Sequence, residues 1–221
     1  MVLSPELIAG FCCGTIQTIV GHPLDTIKVI LQNHGKIQHL KMNQLYRGVT
    51  FPLYKLIITN GISFDLRSKL KKNDINNEYL NGAIVGATIF PLVHLFDVLK
   101  IKQQNNMSYV FRDFFKSHSI FTSFLRETIS NSVYLGSYFG MREYGINPLI
   151  AGGISGCINW TTTYPIDTIK TRTITYNNTI KECMLMGNYW GGYRVCIIRA
   201  FLVNSIGFGS YELSLKYLKN M

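Results

Sequence analysis

The chain has 221 residues, a net charge of +10, 47% hydrophobic residues and only 15% charged ones, with a mean hydropathy of +0.14; soluble domains carry about 25% charged residues, so an ordinary soluble globule is disfavoured. It is also too polar for a bundle of purely apolar spans, which leaves helices that face lipid on one side and a wet interior on the other. The positive charge by itself fits a nucleic-acid surface, anionic lipid headgroups or an anion-collecting cavity.

From the N-terminus, Met1 to Glu6 shows neither the basic start of a cleaved signal nor the Arg-rich pattern of a transit peptide, so any targeting is expected to be internal. The first long element is expected over 5–33 and carries Gly10, Gly14, Pro23, Asp25, Lys28 and Gln32. An element over 48–71 follows, with Tyr46-Arg47-Gly48 before it and Lys55 near its start. The next pair, 79–105 and 121–145, repeats the order: Gly82, Gly86, Leu95, Asp97, Lys100 and Gln104, then Arg126. The last pair, 148–174 and 193–218, brings Gly152, Gly156, Pro165, Asp167 and Lys170, then Trp190-Gly191-Gly192 and Arg199. The aspartates lie 72 and 70 residues apart, so three tandem repeats, 1–75, 76–146 and 147–221, account for the chain as one domain. Each element is long enough to cross a hydrocarbon core of about 30 Å. The intervening segments are polar and Asn- or Lys-rich and read as loops or short surface helices.

On a helix Asp25, Lys28 and Gln32 share one face, as do their counterparts. One such Pro-x-Asp-x-x-Lys is weak, since it also describes a kink beside a solvated surface pair. Three copies in one register, each with a GxxxG upstream, point instead to charges paired inside a membrane. The glycines serve close helix approach and sliding, or static packing. Lys55, Arg126 and Arg199 lie 30, 29 and 32 residues after their aspartates, and a threefold bundle brings them around one central cavity. Three cations with one neighbouring acid, Glu127, favour an anionic ligand; the alternative for a single cation is a lipid-headgroup anchor, most seriously for Lys55.

The triplicate Pro23-Leu24-Asp25-Thr26-Ile27-Lys28, Leu95-Phe96-Asp97-Val98-Leu99-Lys100 and Pro165-Ile166-Asp167-Thr168-Ile169-Lys170 resembles the signature of the mitochondrial carrier family over the whole chain. The resemblance implies an all-α membrane protein with six transmembrane helices in a pseudo-threefold bundle, in the mitochondrial inner membrane, working by alternating access and exchange. It implies kinks at Pro23 and Pro165, and a matrix-side gate made of the pairs Asp25–Lys100, Asp97–Lys170 and Asp167–Lys28. Gln32 and Gln104 would brace these pairs, and Tyr211-Glu212 would belong to an outer gate. Four features depart from the pattern: Leu95 replaces a proline, Ile174 stands where a third glutamine would be, Tyr138-Phe139 with Arg142 and Arg67-Ser68 with Lys71 match the outer motif poorly, and Lys216 falls one residue late. The short matrix loops and the Asn-, Ile- and Lys-rich composition also resemble compact carriers encoded by giant DNA viruses, which implies the mitochondrion of a host and deoxynucleotides as cargo.

Two substrate readings compete. Arg126-Glu127 is similar to amino-acid carriers, whereas the excess positive charge together with Tyr134, Tyr138 and Phe208 suits a phosphate and a stacked base; the expectation leans to a nucleotide, with an amino acid or carboxylate as the alternative. Further alternatives are a transport-inactive membrane scaffold and a soluble basic nucleic-acid-binding protein. Expected partners are the small anionic metabolite and membrane lipids, anionic ones such as cardiolipin included, with no nucleic acid and a monomeric state. No enzyme activity, cofactor or metal is expected: the five histidines lack ligand spacing, and Cys12, Cys13, Cys157, Cys183 and Cys196 form no CxxC pair. His22 and His94 occupy equivalent positions and read as helix-end polar residues.

Overall fold

A computed structural model describes residues 5–34, 41–72, 76–108, 110–203 and 206. Long helices stand where the repeat places them: α1 (Pro5–His34), α3 (Thr50–Lys72), α4 (Glu78–Gln104), α5 (Ser117–Glu143) and α6 (Pro148–Tyr176). Short helices α2 (Met42–Leu45) and α7 (Ile180–Leu185) lie in the first and third loops, and a 3₁₀ turn (Phe111–Phe115) lies in the second. The final element, α8, is described over 193–203.

Local chemistry sets the boundaries. The Asn77 side chain accepts hydrogen bonds from the backbone N–H groups of Tyr79 and Leu80 and starts α4. Thr179 and Glu182 form a reciprocal capping box at the start of α7. Gly48 and Gly192, seven residues before Lys55 and Arg199, adopt φ of 78° and 81°, a left-handed backbone open to glycine, and turn the chain into α3 and α8. Repeat 2 has Ser119 at that position, already inside α5.

Prolines lie inside three helices, Pro23 in α1, Pro165 in α6 and Pro91 in α4. Each lacks the N–H that would continue the helix ladder, which favours a bend at that turn. The third long helix therefore keeps an internal proline despite Leu95, one turn nearer its N-terminus, which the register-based reading overlooked.

The long helices pack in a ring: α3 against α4, α4 against α5, α5 against α6, and α1 against both α3 and α6. Gln17 Nε2 donates to the Val203 carbonyl at 3.2 Å and draws α8 onto α1. A methyl group at Gly82 or Gly86 would run into the α5 backbone at Asn131 and Glu127, so these glycines hold α4 and α5 in backbone-to-backbone approach. Gly14 packs under the Leu56 side chain. A methyl group at Gly152 or Gly156 would meet nothing within 4 Å among the described residues, and the surroundings of Gly10 lie outside them.

The polarity runs inside out. α1 exposes Ile16, Ile19 and Val20 and α6 exposes Ile150, Ile154 and Ile158, while Lys28, Asp167 and Lys170 on the same two helices are buried. Among the described residues only α4 is both long and apolar enough to cross a membrane by composition alone. The other long helices dilute their hydropathy with interior-facing polar residues.

Candidate functional site

Every aspartate of the triplicate motif meets the expected lysine. Lys28 Nζ lies 2.6 Å from Asp167 Oδ2, Lys100 Nζ 2.8 Å from Asp25 Oδ2, and Lys170 Nζ 2.5 Å from Asp97 Oδ2. Each pair joins one repeat to the repeat before it in cyclic order, so the three bonds close a ring around the bundle axis.

A second set runs the other way. Lys55 Nζ lies 2.9 Å from Asp97 Oδ1, Arg126 Nε 3.4 Å from Asp167 Oδ1, and Arg199 Nε 2.5 Å from Asp25 Oδ1. Each joins a repeat to the one after it. All three aspartates thus use both carboxylate oxygens, one on an odd-helix lysine and one on an even-helix cation. The spacing placed Lys55, Arg126 and Arg199 in the cavity but did not show that they hold the ring as well.

Threefold symmetry breaks at Glu127, where repeats 1 and 3 have Leu56 and Ala200. Glu127 Oε1 lies 2.5 Å from Arg126 Nη1 and 3.3 Å from Lys170 Nζ. The described cluster therefore contains six cations and four carboxylates. Unpaired charge at membrane depth is costly, so the two surplus positive charges favour an anionic group in the cavity. Trp160, seven residues before Asp167, lies under both Lys28 and Arg126, with the ring centroid 4.3 Å from Lys28 Nζ and 5.3 Å from the Arg126 guanidinium. Thr18 and Phe90 hold the equivalent positions, so no repetition marks Trp160.

The braces behave unequally. Gln32 Nε2 donates to Asp167 Oδ2 at 2.9 Å and to Thr168 Oγ1 at 3.3 Å, directly beneath the Lys28 pair. Gln104 misses its ion pair and donates to Thr26 Oγ1 at 2.9 Å, which corrects its expected role. Ile174, in place of a third glutamine, joins Val29, Val98, Ile101 and Phe114 in an apolar plug beside the ring.

Contacts from the odd helices to their own loops were missed because their acceptors are backbone carbonyls, which carry no sequence signature. His22 Nε2 lies 2.8 Å from the Arg47 carbonyl, His94 Nε2 3.2 Å from that of Phe114, and the Tyr164 hydroxyl donates to that of Gly191 at 2.8 Å. The two histidines are therefore mid-helix ties rather than helix-end residues. Arg172 donates to the carbonyls of Gln32, Cys183, Gly187 and Asn188, fastening α7 and the end of α1 to α6. In repeat 2 Lys102 Nζ lies 2.6 Å from Asp113 Oδ2 in the 3₁₀ turn. Burial opposes ionisation of Asp113, but hydrogen bonds from Lys102, the Val110 N–H and Lys116 prevail and bring its pKa down to about 2.

A cavity of about 340 Å³ lies against the ring and is lined by all six cations. A chamber of about 260 Å³ shares Lys55, Thr59 and Arg126 with it and continues along α3, α4 and α5 past Glu127. Tyr211, Glu212 and Lys216 fall outside the described residues. At the far end of α5 Arg142 donates to the Ile146 carbonyl at 2.7 Å. Arg67 and Lys71 reach Glu78 Oε1 at 2.8 and 3.1 Å, and the Arg67 guanidinium lies 3.5 Å from the Phe139 ring centroid. Among the described residues no cluster of His, Cys, Asp and Glu is suited to a metal.

Helices with apolar outer faces around a charged, cavity-bearing interior describe an integral membrane transporter. The family model described as mitochondrial carrier protein matches residues 3–44 and 142–221, more than half of the chain, which therefore belongs to the mitochondrial carrier family and is an integral protein of the mitochondrial inner membrane. It is 28% identical to mitochondrial substrate carrier family protein L of Dictyostelium discoideum, over 96% of this chain and 95% of that one. The identity is also 28% to a mitochondrial basic amino acids transporter of Rattus norvegicus (97% and 90% covered) and 24% to the mitochondrial arginine transporter BAC2 of Arabidopsis thaliana (97% and 92%). The alignment with the Dictyostelium protein runs over 277 residues against 221 in this chain, so that relative has internal residues this chain lacks.

Proposed function

We propose that the protein carries an amino acid across the inner membrane by alternating access, with the aspartate–lysine ring as its matrix-side gate and Lys55, Arg126, Glu127 and Arg199 as its substrate contacts. The observation that carries this reading is the Arg126–Glu127 pair, which puts a cation and a carboxylate side by side where the two spaces meet: Arg126 lines both, and Glu127 lines the adjoining chamber. A zwitterion exchanges with such a pair without leaving either charge alone, whereas a polyphosphate finds in Glu127 a repulsive neighbour.

The expected preference for a nucleotide finds no support. Tyr134 and Tyr138 stack on each other, 6.4 Å apart and 10° from parallel, instead of forming a platform for a base, and Phe208 lies outside the described residues. Both quoted relatives whose names specify a cargo are named for basic amino acids or arginine.

Ion pairs of this kind close the gate but leave it breakable, because a substrate that takes over the even-helix cations removes half of the partners of each aspartate. Purified protein in liposomes, offered labelled arginine, lysine, a dicarboxylate and ADP, is expected to accumulate the amino acids and to do so faster when the vesicles are preloaded with unlabelled amino acid. Uptake of ADP alone would overturn the reading.

A further inference from the structure

We infer that Asn33, Asn105 and Thr175 form a second, uncharged tier of the matrix-side gate, which keeps that end shut while cargo loosens the aspartate–lysine ring. This rests on the reading of the ring as a gate and adds the residues that set how readily the empty protein opens.

The three residues repeat in one register, as the ring does. Each lies eight positions after its motif aspartate, Asp25, Asp97 or Asp167, and so about 12 Å further along its helix. On α1 and α6 that position falls in the last turn, and on α4 it is the residue that caps the C-terminus. There the side chains meet. Asn33 Nδ2 donates to Thr175 Oγ1 at 3.0 Å and to Asn105 Oδ1 at 3.3 Å, and Asn105 Nδ2 donates to Thr175 Oγ1 at 3.4 Å. The triangle joins all three repeats, and Thr175, 2% exposed, is the acceptor that both amides share. The Tyr176 hydroxyl, donating to the Asn33 carbonyl at 3.0 Å, supports the same contact between α6 and α1. Capping of a helix end accounts for one further bond, from Asn105 Nδ2 to the Ile101 carbonyl at 2.8 Å; it does not account for three contacts between helices.

Two properties set this tier apart from the ring. It carries no charge, and it stands beyond the reach of cargo: the cavity wall includes Val29 and Ile101 but none of the trio. A ligand shifts an equilibrium only through groups that it binds differently in the two states, so a charged cargo acts on the ring and not on these amides. Apolar side chains separate the two tiers. Val29 and Ile101, four residues past their aspartates, and Ile174, seven past its own, belong to the apolar plug. An apolar constriction resists wetting until its walls part. Loosening the ring from the cavity therefore leaves the plug and the trio closed, and the matrix end opens only when the helix ends separate far enough to break the neutral bonds as well.

Thr175→Val removes the shared acceptor with little change of shape, and net efflux reads the result. In proteoliposomes containing the full chain, loaded with labelled arginine or ADP and placed in cargo-free buffer, the empty protein must return with both tiers breaking and no cargo to help. Thr175→Val is expected to raise net efflux of whichever probe the wild type carries about tenfold, which corresponds to about 1.4 kcal/mol. Thr175→Ser, which keeps the hydroxyl, is expected to retain the wild-type rate. In a background without the native cysteines, Asn33→Cys with Thr175→Cys is expected to stop uptake when oxidised and to restore it on reduction, which a static cap would not produce. Wild-type efflux in Thr175→Val, or full uptake with this disulfide formed, overturns the second tier; the ring stands as the gate if a disulfide between Gln32→Cys and Thr168→Cys still stops uptake. Full uptake with either disulfide formed, or a wild type that moves neither probe, overturns both. Transport of ADP in place of arginine overturns the amino-acid reading alone.

Discussion

Arg126→Ala is expected to abolish nearly all uptake, lowering the initial rate in proteoliposomes by roughly two orders of magnitude or more at equal protein incorporation. The size follows from how many groups the change strands. Arg126 is bonded to Glu127 and reaches Asp167, and its guanidinium lies by Trp160. Removing one member of a buried ionic cluster leaves its partners uncompensated, which costs about 3–5 kcal/mol and corresponds to more than about a hundredfold in an equilibrium constant. It also removes one of the proposed contacts for the substrate carboxylate. Arg126→Lys keeps the charge but loses the planar fork, so an intermediate rate is expected. Arg142→Ala, on an exposed residue that bonds a loop carbonyl at the far end of α5, is expected to transport close to the wild-type rate. Equal rates for Arg126→Ala and the wild type would remove Arg126 from the site.

Charge reversal of a ring pair is expected to fail as a rescue. For an isolated ion pair, Asp25→Lys combined with Lys100→Asp would restore the attraction. Here Arg199 lies 2.5 Å from the second oxygen of Asp25, so the new lysine faces one restored partner and one repelling guanidinium. The double variant is expected to remain about 3 kcal/mol or more less stable than the wild type, a fall of about 6–12 °C in the thermal midpoint for a chain of this size. Adding Arg199→Glu gives the lysine two acidic neighbours and is expected to recover most of that loss. Full recovery in the double variant, measured by thermal unfolding in detergent, would show that the even-helix cations do not support the ring.

The difference between these two sets of cations also explains what was legible in the sequence. Asp25, Asp97 and Asp167 with Lys28, Lys100 and Lys170 repeat in one register on helices of one type, so their pairing followed from symmetry and charge. Lys55, Arg126 and Arg199 repeat too, but which aspartate oxygen each reaches depends on the rotation and approach of neighbouring helices, which spacing does not encode. Features present in one repeat only were invisible to self-comparison: Trp160 has threonine and phenylalanine as counterparts, and Pro91 stands one turn out of register. The same limit produced the preference for a nucleotide. Tyr134 and Tyr138 share a helix face at a spacing of four, which fits a base platform and a mutual stack equally well, and the structure shows the stack. Gln104 looked like Gln32 by position, yet a difference in local packing carries its amide to Thr26.

Closure of the matrix side by the ring is the claim on which the rest depends, and a reversible lock across it is the most direct test. Gln32 on α1 and Thr168 on α6 are in side-chain contact at 3.3 Å, beneath the Lys28–Asp167 pair. In a background without the native cysteines, Gln32→Cys with Thr168→Cys is expected to oxidise to a disulfide that stops uptake, to recover uptake on reduction, and to oxidise more slowly while external substrate is cycling the gate open. Uptake that continues at the full rate with the disulfide formed would contradict the account.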